Sequence, residues 1–186
     1  MRIVNLIIDG VVTKFKMPST WNEVSIGQYS KLMLSIDKEG ISEIELMIKS
    51  LEALVGIDGG VLNKAPLKQI KIAYGELSDL TVKLPSNELT RVIEIDGIEY
   101  GIIPDFDDIS LGEFVDLDNY LQDSYNNLDK VFSVLYRPIV KRDKDKYLIE
   151  SYDLASVKDR RKLFKERMSM DTIYGALVFF CSIGSK

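Results

Sequence analysis

The hydrophobic pattern of this chain switches from a period of two to a helical period twice, in the same order each time. Within residues 6–33 and 93–118, short runs of β-branched and apolar residues flank Asp-Gly, at Asp9-Gly10 and again at Asp96-Gly97. Asp-Gly between such runs is a strong short-range signal for a tight β-hairpin turn. The chain therefore predicts two β-hairpins, one at the start of each of two similar segments.

A helix-capping motif follows each predicted hairpin. Ser25 precedes Gln28, and Ser110 precedes Glu113, which is the Ser-x-x-Gln/Glu spacing of a capping box. The serine hydroxyl accepts from an early helical N–H, and the Gln or Glu side chain accepts from the serine N–H. Both motifs predict the first residue of a helix, and we assign these four residues a structural role.

Two amphipathic helices follow each capping box, with their apolar residues at matching positions. The first helix after each box has its apolar residues at Ile26, Tyr29, Leu32 and Ile36 in one segment and at Leu111, Phe114, Leu117 and Leu121 in the other. The second helix has them at Ile44, Met47, Ile48 and Leu51, and again at Leu128, Val131, Phe132 and Leu135. Beyond these the segments diverge. The first continues with a flexible loop (56–65) and a helix (66–78), and the second with a charged turn (141–146), an extended piece (147–153), a basic helix (156–167) and a terminal helix (171–183).

We therefore expect an α+β fold, mainly helical, in which two tandem β-hairpin-plus-helices halves pack together. Residues 1–81 form the first hairpin-helix repeat, residues 82–90 a linker, and residues 91–186 the second repeat with the C-terminal helices. Internal similarity of this kind is the signature of a duplication. The alternative is chance similarity between two short hairpin-helix units.

Composition removes several classes of chemistry. The chain has 186 residues, 46% of them hydrophobic, so it is long enough for a sizeable core. It has no histidine and one cysteine, which excludes Ser–His and Cys–His pairs, imidazole ligands and an internal disulfide. Cys181 lies among apolar residues, which favours a packed thiol over a nucleophile. No signal peptide or membrane span is expected, and we assign no catalytic, cofactor-binding or metal-binding residue.

Charge is unevenly distributed along the sequence. Residues 1–129 contain 11 basic and 22 acidic side chains, while residues 130–186 contain 13 and 7, for a net charge of −5. This polarity suits head-to-tail contact between copies or a basic end that meets an acidic partner, and it also fits two solvated faces.

Two charged clusters are candidate interface residues. Asp105, Asp107 and Asp108 precede the second capping box, where carboxylates favour a helix start, and their spacing does not match an EF-hand calcium loop. The other cluster is basic and contains Lys158, Arg160, Arg161 and Lys162. On a helix we expect these bases to face water, while Leu163 and Phe164 face the core. This cluster could contact phosphates, a protein partner or only water, and the acidic chain argues against nucleic acid.

Five segments together resemble small virion or assembly proteins of tailed bacteriophages, including the crAss-like phages of gut bacteria. They are SLGEFVDLDNYL (110–121), NLDKVFSVLYRPI (127–139), YLIESYD (147–153), GALVFF (175–180) and WNEVSIGQYSKL (21–32). The resemblance implies a non-enzymatic role in building the neck or tail of a phage. Together with the uneven charge, it leads us to expect a structural subunit that forms a homo-oligomeric ring, contacts other neck or tail proteins and is located in the virion. The alternatives are a tail-assembly chaperone that leaves before maturation, and an enzyme or inhibitor that acts in host takeover.

Overall fold

A computed structural model describes residues 1–37, 39–144 and 146–183, apart from the side chains of residues 81 and 180–183. These residues form eight α-helices and two small antiparallel sheets, with 52% helix and 21% strand, so the predicted mainly helical α+β class is confirmed. The chain divides into two compact units. Unit 1 contains Met1–Ser86 and Ser169–Asp171, and unit 2 contains the rest of the chain from Asn87 onward. The division falls within the segment predicted as a linker.

Unit 1 begins with the predicted β-hairpin. Asp9 and Gly10 both have positive φ angles, 50° and 79°, as a two-residue hairpin turn requires. The elements of unit 1 are β1 (Arg2–Ile8), β2 (Val11–Met17), a 3₁₀ turn (Trp21–Glu23), α1 (Ile26–Ile36), α2 (Glu43–Leu54), α3 (Gly59–Leu62) and α4 (Leu67–Val82). The prediction of a flexible loop over 56–65 is wrong in part. Asp58 accepts a hydrogen bond from the Gly60 N–H (2.9 Å) and thereby caps the short α3 helix.

The core of unit 1 lies where α2 packs against α1 and α4 beneath the hairpin. Leu6, Met17, Ile26, Leu51 and Leu77 are each at most 2% exposed there. Unit 1 also takes in a late piece of the chain.

That late piece is Ser169–Asp171, which lies in the range predicted to form the second repeat. Ser169 forms a β-bridge with Ser25. The Met170 N–H donates to the Val24 carbonyl oxygen (2.8 Å), and the Asp171 carboxylate accepts from the Ser86 N–H (2.9 Å). Unit 1 is therefore discontinuous in sequence.

Unit 2 begins with the second hairpin, in which Asp96 and Gly97 again have positive φ angles, 52° and 81°. The elements of unit 2 are β3 (Val92–Ile95), β4 (Ile98–Ile102), α5 (Leu111–Leu121), α6 (Ser124–Leu135), β5 (Tyr136–Asp143), β6 (Lys146–Ile149), α7 (Leu154–Arg167) and α8 (Met170–Ile183), whose first two residues belong to unit 1. Helix α6 packs against α5, α7 and β5, and its Phe132 is completely buried.

The sheet of unit 2 has four strands in the order β3-β4-β5-β6. The sequence predicts only the first hairpin and a separate extended piece here. The pattern Tyr136-Arg137-Pro138 predicts only the end of a helix, whereas Tyr136 begins β5 directly after α6. Pro138 has no N–H to donate, so it takes part in the sheet as an acceptor: its carbonyl oxygen accepts from the Glu150 N–H (2.8 Å). Consequently the charged segment 141–146 is the end of a β-hairpin, rather than a turn between a helix and an isolated extended piece.

Candidate functional site

Helix α5 turns its apolar side to solvent. Four apolar side chains on one side of α5 are exposed, and Asp118 is exposed among them; we call these five residues the α5 face. The exposed fractions are Leu111 79%, Phe114 58%, Val115 45% and Leu121 50%. In α1, where the sequence pattern is the same, Ile26 and Leu32 are buried (1% and 7% exposed). Leu117, the counterpart of Leu32, is half-buried, so the two helices share this one inward position while the other matching apolar positions of α5 face solvent.

The most buried side chain of α5 is a charged one. Glu113 is 5% exposed, and one of its carboxylate oxygens accepts from the Ser110 N–H (2.8 Å) while the other accepts from Arg137 (2.5 Å). Burial lowers the pKa of Arg137, and the neighbouring Glu113 carboxylate opposes that shift. Both Glu113 oxygens are thus occupied, so this residue serves as helix cap and counterion.

The two capping boxes form as the sequence predicts, but the Gln28 and Glu113 side chains each make a further hydrogen bond, and these bonds have different partners. In unit 1 the Ser25 N–H donates to Gln28 Oε1 (2.9 Å), and Gln28 Nε2 donates to the Leu54 carbonyl oxygen at the end of α2 (2.9 Å). A glutamate at this position has no N–H to donate to that carbonyl. In unit 2 the charged Arg137 requires a carboxylate. Gln28 therefore suits a position next to a carbonyl oxygen, which needs a donor, and Glu113 suits a position next to a guanidinium, which needs a carboxylate.

Further charged pairs extend the buried network of unit 2. The Tyr152 hydroxyl donates to the Asp116 carboxylate; burial, and then this hydrogen bond, raise the pKa of Tyr152. Arg160 donates to Glu150 (2.5 Å) and to the Ser133 carbonyl oxygen (3.3 Å). The sequence could not indicate these pairs, because the partners come from separate elements.

The basic cluster on α7 does not form one continuous surface. Lys158 and Lys162 are exposed, while Arg160 is only 7% exposed and Arg161 donates to the buried Asp129 (3.0 Å). The expectation that all these bases face water is wrong for Arg160, because carboxylate and carbonyl groups within the unit bind its guanidinium. Arg160 is therefore not available to a partner as predicted, whereas Lys158 and Lys162 are.

The acidic cluster before α5 lies at the surface. Asp105, Asp107 and Asp108 are exposed, and the Asp105 carboxylate accepts from the Asp107 N–H (3.0 Å) in a local turn. Among the described residues, no three His, Cys, Asp or Glu side chains come together to hold a metal ion. The role of this cluster as an interface stays a prediction.

A basic cavity of about 570 Å³ lies on the sheet of unit 2, and we call it the hairpin cavity. Among the described residues its lining includes Arg91, Pro104, Lys141, Asp143, Lys146, Tyr147 and Leu148. The Tyr147 ring lies across Gly101, where a Cβ atom would overlap it, and its hydroxyl is 2.9 Å from the Ile102 carbonyl oxygen. The ring is therefore fixed in place, and three cations and one carboxylate surround the opening.

A second cavity, of about 510 Å³, lies in unit 1 between β1 and α4. Ile3, Ile7 and Ile72 are among its lining residues, and Gln69 of α4 accepts a hydrogen bond from the Ile7 N–H (2.6 Å). Of the described residues that line it, Glu76 is the one that is ionisable, so it has fewer charged groups than the hairpin cavity.

Within the part of the chain that the structure describes, no helix is both long enough and apolar enough to cross a bilayer. The side chain of Cys181 lies outside the described residues, so its assignment stays a prediction. No protein-family model matches this chain, and neither a curated protein nor a solved structure matches it.

Proposed function

We propose that this chain is a non-enzymatic structural subunit of a tailed-bacteriophage neck or tail, where it assembles into an oligomeric ring. The observation that carries the proposal is the orientation of α5, whose four apolar side chains in the α5 face are exposed while its Glu113 is buried. Exposed apolar side chains that cluster on one surface and are bordered by polar groups commonly mark contact sites. The resemblance of residues 110–121 and four other segments to phage neck and tail proteins supplies the biological setting.

The energetics support a subunit that has more than one contact surface. The exposed parts of the four apolar side chains of the α5 face amount to a little more than two fully exposed side chains. Covering them would contribute roughly 3–7 kcal/mol. Association costs on the order of 4–15 kcal/mol in lost translational and rotational freedom. The α5 face alone is therefore too small for a stable contact, and its partner surface must contribute as well.

Charge supports protein contacts rather than contact with nucleic acid. Residues 87–129, which include α5, contain 12 acidic side chains and one basic side chain. Glu113 and Asp129 are buried, but most of the other acidic side chains are exposed, and they repel phosphate groups and attract a basic protein surface.

Two measurements test the proposal. Mass photometry of the purified chain should give particles that are multiples of 21.1 kDa, and mass spectrometry of purified phage particles should find the chain in stoichiometric amounts. A chain that is strictly monomeric and absent from particles contradicts the proposal. A chain that is absent from particles but forms a binary complex with a tail protein would be an assembly chaperone instead.

A further inference from the structure

We infer that the α5 face of one copy docks into the hairpin cavity of the next copy, with Phe114 as the anchor. This inference rests on the proposed ring and names the two surfaces that would meet within it. Both surfaces belong to unit 2 and lie on different elements, so every copy carries one of each. Contact between unlike surfaces builds rings when the rotation closes.

The carboxylate of Asp118 decides which kind of partner fits. Asp118 lies among Phe114, Val115 and Leu121, so a purely apolar partner would bury a carboxylate without a counterion. Helix α5 contains no Lys or Arg, so pairing two α5 faces would bury two carboxylates without a cation from either helix. The partner surface must therefore offer cations next to apolar groups.

The hairpin cavity has both kinds of group. Lys141 and Lys146 are exposed at its opening and can face Asp118, together with the nearby Asp107 and Asp108. Leu148 is 59% exposed in the lining, and Val140 on the same hairpin is 65% exposed. These two side chains supply the additional apolar area that the α5 face needs from its partner.

The size and rigidity of the cavity suit an aromatic anchor. Its volume of about 570 Å³ lies within the range of cavities that hold small organic ligands, so a phenyl ring fits. Tyr147 is held over Gly101, so the floor of the cavity is formed before the partner arrives. Aromatic side chains in such pockets are typical of the residues that dominate interface energetics.

The test uses two variants that each remove one surface. Phe114→Glu disables the α5 face, and the double variant Lys141→Glu/Lys146→Glu disables the cavity. Each should weaken self-association by roughly 30-fold or more, as expected for an interface hot spot. Mixed in equal amounts, the two variants should form a 1:1 heterodimer, because each keeps one intact surface. Ile72→Glu, at a residue 54% exposed on α4, and the double variant Lys68→Glu/Lys71→Glu on the same helix are matched controls that should assemble normally.

Circular dichroism and urea unfolding establish that each variant is folded before its mass is measured. If the wild-type chain assembles and both variants assemble equally well, the docking inference is wrong while the proposed ring stands. If the wild-type chain is monomeric, the ring and the docking are both wrong. Failure of the mixed variants to form a heterodimer, or assembly of either variant by itself into a dimer of normal affinity, also refutes the docking.

Discussion

Neutralising Glu113 should destabilise unit 2 far more than removing its helix cap. Glu113→Gln keeps an oxygen for the Ser110 N–H but leaves the buried Arg137 guanidinium without its carboxylate. Breaking a buried ion pair on one side costs about 3–5 kcal/mol, so we expect a loss near 3 kcal/mol because the amide oxygen still offers one acceptor. Ser110→Ala, which removes only the cap, should cost about 1 kcal/mol.

Urea unfolding measures both values. With a slope of about 1–2 kcal/mol per molar, a loss of 3 kcal/mol lowers the midpoint by roughly 1.5–3 M. Far-UV circular dichroism reports both units, while Trp21, the only tryptophan in the sequence, reports unit 1 by fluorescence. In unit 1 the reciprocal change Gln28→Glu removes the donor to Leu54, and it should cost about 1–2 kcal/mol. If Glu113→Gln costs no more than Ser110→Ala, the pair with Arg137 contributes nothing and the reasoning is refuted.

Three further predictions follow from single contacts. Gly175→Ala brings a methyl group into overlap with the Glu88 carbonyl oxygen and should destabilise unit 2 by about 1–3 kcal/mol. Gly75→Ala places its methyl group in open space on a helix and should stabilise unit 1 by about 1 kcal/mol. Equal urea midpoints for the two variants would contradict this. Hydrogen bonds from Ser156 lower the pKa of Asp153, so its stabilisation is present above about pH 4 and is lost as the pH falls through the lowered value. Asp153→Asn should flatten this acid dependence of the urea midpoint, and an unchanged dependence would exclude Asp153 as its source. Burial raises the pKa of Tyr136, so its stabilisation is present below about pH 10 and is lost as the pH rises through the raised value. In an alkaline absorbance titration Tyr136→Phe should remove one late-ionising phenol, and loss of an early-ionising phenol instead would contradict the burial of this side chain.

Local signals in the sequence predict the elements of the fold well. Asp96-Gly97 indicates a turn because both residues tolerate positive φ angles, and Ser110 with Glu113 indicates a helix start because their groups satisfy each other. These signals depend on neighbours within four residues. They can therefore be recognised in the sequence without knowledge of the rest of the chain.

The side of α5 that faces the core could not be predicted in the same way. Its apolar spacing matches that of α1, but the inner contacts of α5 are made by Arg137 and Tyr152, which come from later elements. Strand β5 escaped prediction because Pro138 breaks the local pattern, while the β4 pairing that stabilises the strand is about 40 residues distant. The hairpin cavity likewise forms from four separate segments of the chain. The sequence pattern does not show which distant residues come into contact, so features that depend on such contacts could not be predicted from it.

The return of the chain to unit 1 has a consequence for its biosynthesis. Ser169–Asp171 are translated about 80 residues after Ser86, so the segment that completes unit 1 is made roughly 4–16 s later at ordinary translation rates. During that interval the nascent unit 1 lacks the hydrogen bonds to Val24 and Ser86. The two units therefore cannot mature one after the other during translation, because the earlier unit waits for a segment that follows nearly all of the later one.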